Sequence, residues 1–264
     1  MTIDMSRTFR YTAAATRACC AACLTLAACS HQAPLRTEAQ NSVAIGDQST
    51  PADIYSAMAG EYYKLGQLDI AQQQANKAIT ADKQNPRGYY MIAIIYERTG
   101  QPALAEENFK RALTLAPKNS DILNAYGNFF CSQRRTAEAQ AQFAKAIENP
   151  LYTTPWVAMT NAGTCARNAG NLTQAEADYR RALAANPSFG PALAEMAGIE
   201  LGRGNAKAAK GAVDRFFQAN APEPRALLLA AKTERKLGNT KAAATYEQIL
   251  RQKFPDAPEL RDLK

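Results

Sequence analysis

The 264-residue chain carries 31 Lys and Arg against 24 Asp and Glu, a net charge of +7, and a single histidine, His31. One histidine near the N-terminus leaves the rest of the chain without a His-dependent nucleophile or a His-rich metal site. The basic excess is spread out instead of forming a run interleaved with aromatics, which argues against a nucleic-acid partner.

The N-terminus comes first in chain order. Arg7, Arg10 and Arg17 precede an apolar run from Ala18 to Ala28. That run falls short of the about 20 residues a membrane-spanning helix needs and suits the core of an export signal. Leu26-Ala27-Ala28-Cys29 resembles the bacterial lipobox. The resemblance implies cleavage after residue 28 and a lipidated Cys29 as the mature N-terminus. Cys23 has Cys20 where Cys29 has its large aliphatic Leu26, so Cys29 is the better match, with a plain secretory peptide cleaved near Ala28 as the alternative. Three acyl chains, at about 0.8 kcal/mol per buried CH₂, would make an effectively permanent membrane anchor. Ser30 follows the cysteine where lipoproteins retained in the inner membrane carry aspartate, so the expected address is the outer membrane, facing the periplasm. Residues 29–50 are small and polar and lack a helical apolar stripe. They read as a tether with a span of roughly 25 Å.

From residue 51 to 264 the chain repeats. Gly66, Gly100, Arg134, Gly170, Gly204 and Gly238 recur at intervals of 34, 34, 36, 34 and 34 residues, and five residues after each comes Ala71, Ala105, Ala139, Ala175, Ala209 or Ala243. A 34-residue period is that of the tetratricopeptide repeat, so an all-α superhelix of six helix-turn-helix units is expected. With repeats starting at Ala52, Pro86, Ser120, Trp156, Gly190 and Pro224, the turn residue falls at position 15 and the alanine at position 20. Glycine suits a left-handed C-cap, and Arg134 departs from it. Pro117, Pro187 and Pro255 end second helices because proline has no N–H to donate. The first repeat opens with Ile54, Tyr55, Met58, Tyr62 and Tyr63 and has Ala75 where later repeats carry Phe109, Phe143 or Tyr179. A shallow pocket beside Ala75 is therefore expected.

The third and fourth repeats carry Cys131 and Cys165 on first helices, which lie side by side in this architecture. In an oxidising periplasm a disulfide is predicted over two separately buried thiols. The period breaks at the same junction, where Asn149-Pro150-Leu151-Tyr152-Thr153-Thr154-Pro155 adds two residues.

First helices line the concave face of such a superhelix. The candidate partner-binding residues are Tyr62, Tyr63, Tyr90, Arg98, Asn124, Asn128, Arg167 and Asn168, an asparagine ladder flanked by Tyr and Arg that suits an extended peptide. Arg225, Lys232, Arg235 and Lys236 give the last repeat a basic edge. No glycine-rich phosphate loop occurs, and adjacent carboxylates such as Glu106 and Glu107 diverge on a helix. The sequence predicts a monomeric binding protein, not an enzyme, with no cofactor and no metal.

Asn124-Ala125-Tyr126-Gly127-Asn128-Phe129-Phe130-Cys131, the Asn149–Pro155 connection and Asn161-Ala162-Gly163-Thr164-Cys165, taken with the lipobox and six repeats, resemble the PilF/PilW lipoproteins of type IV pilus biogenesis. The resemblance runs from Cys29 to the sixth repeat. It implies a pilotin that binds the pilus secretin and promotes its outer-membrane localisation and multimerisation, supporting twitching motility. The alternatives are an adaptor for peptidoglycan enzymes or outer-membrane assembly machinery, and a chaperone of secreted subunits.

Overall fold

The computed structural model describes residues 49–263. The signal segment, Cys29 and the tether up to residue 48 lie outside the described residues. Twelve α-helices follow one another among the described residues: α1 (Pro51–Lys64), α2 (Leu68–Ala81), α3 (Pro86–Arg98), α4 (Pro102–Leu115), α5 (Ser120–Ser132), α6 (Thr136–Glu148), α7 (Pro155–Asn168), α8 (Leu172–Ala185), α9 (Gly190–Gly202), α10 (Ala206–Ala219), α11 (Pro224–Lys236) and α12 (Thr240–Lys253). A short 3₁₀-helix, Pro258–Asp262, closes the chain. Local chemistry starts these helices. Thr50 and Asp53 form a reciprocal capping box at α1, and Asn119 accepts from the amides of Asp121 and Ile122 at α5.

The turn between paired helices is the same in all six units. Gly66, Gly100, Gly170, Gly204 and Gly238 have φ between 73° and 84°, and Arg134 takes the same left-handed conformation at φ 58°. The next amide reaches back to the carbonyl five residues earlier, as Gln67 to Tyr62 at 2.9 Å and Arg135 to Phe130 at 2.8 Å, the closure of a Schellman motif. Arg134 therefore changes no geometry but bears the steric cost that glycine avoids.

Packing follows the alanine frame. Ala71, Ala105, Ala139, Ala175 and Ala209 have no solvent exposure. One turn further along the same face, position 24 carries the large side chains Phe109, Phe143 and Tyr179, also fully buried. Room for two of these rings is made by glycine: a Cβ at Gly127 would stand 2.6 Å from Phe143, and one at Gly163 would stand 2.7 Å from Tyr179. Phe109 is shared between repeats, its ring 6.5 Å from Tyr90 in its own hairpin, and 5.1 Å from Tyr126 and 5.6 Å from Phe129 in the next. The pocket expected beside Ala75 is not there. Ala75 is fully buried with Met91, Ile92 and Ile95, since long side chains of the second repeat occupy the space that an aromatic takes elsewhere.

Each odd-numbered helix touches the next odd-numbered one, while no even-numbered helix makes a comparable contact with the next even-numbered one. The odd helices are thus the shorter, inner wall of the stack. Position 21 latches four successive repeats to the one ahead. Glu106 accepts from Arg135 at 2.5 Å, Gln140 donates to the Ala162 carbonyl at 2.9 Å, Glu176 accepts from Arg203 at 2.5 Å, and Lys210 donates to Glu234 at 2.8 Å. At the longer connection, Asn149 donates to the Lys118 carbonyl and to Ser120, both at 3.0 Å, pinning the extra residues to the preceding loop. The open face of the last repeat is covered by Leu263, buried with Leu227, Leu228 and Leu250.

Two stability predictions follow from turn and core. Gly127→Ala should destabilise the protein by about 1 to 3 kcal/mol through overpacking against Phe143, whereas Arg134→Gly should stabilise it by about 0.5 to 1 kcal/mol; urea denaturation of both variants reads the opposite signs. Hydrogen bonds from Arg135, Arg203 and Lys210 hold the carboxyls of Glu106, Glu176 and Glu234 below the usual carboxylate range. A carboxyl lowered in the folded state contributes stability above its unfolded pKa, about 4.3 for Glu, and loses it as the pH falls through the lowered folded value. Chemical denaturation should therefore show stability falling below about pH 4.5, with a shallower fall in Glu176→Gln.

Candidate partner-binding groove

The inner wall is built from one face of α1, α3, α5, α7, α9 and α11, and its chemistry changes along its length. At the N-terminal end Tyr63 offers its ring to the Arg98 guanidinium, 5.2 Å from the centroid, joining the first two repeats by a cation–π contact. Tyr62 is half-buried against the core of Ala59, Ala71 and Ala75. Tyr90 lines a cavity of about 220 Å³ together with Ser56, Arg87, Met91, Asp121 and Ile122. Burial pushes its phenol up to about 12, so the hydroxyl stays protonated at any physiological pH. Ser56 Oγ is buried there without a hydrogen-bond partner.

In the middle of the groove the asparagines divide. Asn124 accepts from Asn161 Nδ2 at 2.9 Å, tying α5 to α7, while Asn128 and Asn168 are exposed. Only the latter two present side chains to solvent as the ladder expected from the sequence would. Arg167 lies 3.3 Å from Glu195, which also accepts from Arg225 at 2.6 Å. Glu195 is 5% exposed and so needs both cations to offset its desolvation. Arg167 is thus tied to α9 through Glu195, the carboxylate that Arg225 of α11 also holds, and is not a free guanidinium.

Asn161 and Glu195, the partners that tie up two of the candidates, were missed by sequence reasoning. A signal existed: both occupy position 6, which is Ala57, Met91 and Ala125 in the first three repeats and Leu229 in the sixth. A polar group at an otherwise apolar position needs a partner, and the groove supplies one.

Cys131 on α5 and Cys165 on α7 are joined by a disulfide with Cα atoms 5.7 Å apart, spanning the junction where the period lengthens. The bridge ties third and fourth repeats on the inner wall, opposite the Asn149 anchor. Among the described residues, no helix is long and apolar enough to cross a membrane.

A tetratricopeptide-repeat family model matches residues 57–120, 127–188 and 195–258, each match spanning about two repeats. The type IV pilus assembly protein PilF of Pseudomonas aeruginosa is 24% identical over 212 residues, 80% of this chain and 84% of that protein. Among solved structures, PilW, described as a widely conserved type IV pilus biogenesis factor, is 33% identical, with 80% of this chain and 97% of PilW covered and a TM-score of 0.68. The P. aeruginosa PilF structure superposes with the same TM-score of 0.68 at 24% identity, over 80% of this chain and 96% of that one.

Closing the loop between Cys131 and Cys165, 34 residues apart in sequence, is worth about 3 to 4 kcal/mol in the chain-entropy model. The double variant Cys131→Ser/Cys165→Ser should lose that amount in urea denaturation, and reductant should destabilise the native protein but not the variant.

Proposed function

Because this chain belongs to the tetratricopeptide-repeat proteins and, within them, to the PilF and PilW type IV pilus biogenesis factors, we propose that it is an outer-membrane lipoprotein, anchored through Cys29 on the periplasmic face, that holds the pilus secretin subunit and promotes its localisation and multimerisation. The observation that carries the reading is the match to PilW over 97% of that protein at 33% identity, in an array whose inner wall is a continuous groove.

The mechanism needs no bond chemistry. A chain lying in the groove exchanges its hydration for contacts with aromatic faces at the N-terminal end and with exposed amides at Asn128 and Asn168 in the middle. The rigid stack supplies these groups in fixed positions, so little ordering cost falls on the scaffold. An acyl anchor with a tether concentrates captured subunits at one surface, raising the effective concentration for a step that requires many copies to meet. The same anchor accounts for delivery, since cargo bound to a sorted lipoprotein travels with it.

Cys29→Ala removes the acylated residue while leaving the repeats unchanged. Membrane fractionation should show the variant lost from the outer membrane, and secretin multimers there should fall with it. Undiminished outer-membrane multimers in that strain would refute the role.

A further inference from the structure

The C-terminal end of the groove carries a second, differently built depression. Leu201 and Gly202 at the end of α9 face Lys232, Arg235 and Lys236 on α11 across a cavity of about 390 Å³. Arg235 is committed to Glu247 and to the Leu263 carbonyl. The lysines are not matched inside the described residues. Glu200 lies by Arg203 and accepts from Asn205, and Glu234 accepts from Lys210 and Asn239, so the carboxylates of α9 and α11 nearest in sequence are spoken for. Residues 224–253 carry seven basic side chains against two acidic ones. The floor opposite is bare: a Cβ at Gly202 would meet nothing within 4 Å, and one at Gly198, a turn earlier, only Leu229 at 3.9 Å.

We propose that this end of the groove takes an extended protein segment of the pattern acid–apolar–acid. Lys232 and Lys236 are one helical turn apart, about 6 Å along the axis, and alternate residues of an extended chain are separated by about 6.6 Å. Two carboxylates flanking one residue therefore meet the two ammonium groups, while the residue between them points across to Leu201 and the space over Gly202. A bilayer surface offers anionic groups too, but it is flat and cannot reach a recessed apolar floor between two helices. The inference deepens the secretin reading by naming the chemistry of the bound segment, and rests on that reading only for which protein supplies it.

The test uses the full-length protein in detergent and fluorescein-labelled peptides, capped at both ends, with Asp-Leu-Glu, Asn-Leu-Gln or Asp-Ser-Glu set in a Gly-Ser frame. Anisotropy should show saturable binding of the first, weakened by salt, and binding of the other two weaker by about tenfold or more. Lys232→Glu/Lys236→Glu should abolish the preference for the acidic peptide. Gly202→Leu, which fills the cavity from a helical position with open space around it, should weaken binding by about tenfold while circular dichroism shows the fold intact. Equal binding of acidic and neutral peptides, or no effect of either variant, overturns the proposal. So does binding only to phosphatidylcholine vesicles doped with phosphatidylglycerol. Capture of the secretin subunit by the wild-type protein is measured separately: its failure removes the pilus-secretin assignment and leaves the peptide result standing.

Discussion

A two-helix hairpin of this length cannot bury its own apolar face, and that shortfall governs the molecule. The residue at position 24 is the clearest expression of it. Phe109 stacks on Tyr126 of the following repeat as closely as on anything in its own, so neither hairpin completes its core without the other. Small residues on the facing helices follow from the same need. Gly127 and Gly163 stand where a single methyl group would collide with Phe143 or Tyr179, and the fully buried alanines at position 20 hold the paired axes close. Stability in such an array accumulates through neighbour contacts, and the polar latches from position 21 reinforce four of the five joints.

Curvature is the consequence that matters for binding. Because odd helices pack on one another and even helices make no comparable contact, the inner wall is the compressed side, and side chains from six different repeats share one surface. That surface is graded. Aromatic and cation–π contacts fill the first repeats, an Arg167–Glu195–Arg225 ladder around a buried carboxylate crosses α7, α9 and α11, and unmatched lysines stand over glycine at the end. A grade of this kind would give a segment bound as proposed a direction, since reversing it would place acidic groups against tyrosine rings and apolar ones against ammonium groups.

The junction between third and fourth repeats breaks the regularity in a controlled way. Two extra residues loosen the connection on one side, while Asn149 anchors it to the previous loop and the Cys131–Cys165 bridge closes the inner wall. Fixing that joint from both sides keeps the two halves of the groove in register despite the longer link. In the proposed setting of a tethered protein in an oxidising compartment, a covalent clamp costs nothing to maintain.

The repeat period, the turn glycines and the alanine frame were legible because each is a local demand: a left-handed residue every hairpin and a small one where axes approach. Even Arg134, the departure, obeys the turn, since the backbone bonds that close it, from Gln133 to Phe129, Arg134 to Cys131 and Arg135 to Phe130, repeat those of the glycine turns. The groove was legible only as a set of positions. Nothing in the sequence order says that Asn161 takes Asn124, that Glu195 sits between two arginines, or that Met91, Ile92 and Ile95 fill the space beside Ala75. These pairings join residues of successive repeats, and which partner a side chain meets depends on how far each hairpin rotates on the last. The sequence by itself determined the unit and its repetition, because these follow from backbone conformation and residue size within a hairpin; only the tertiary structure decided which polar groups are spent on one another and which stay free for a partner, because that accounting is settled by distances between repeats.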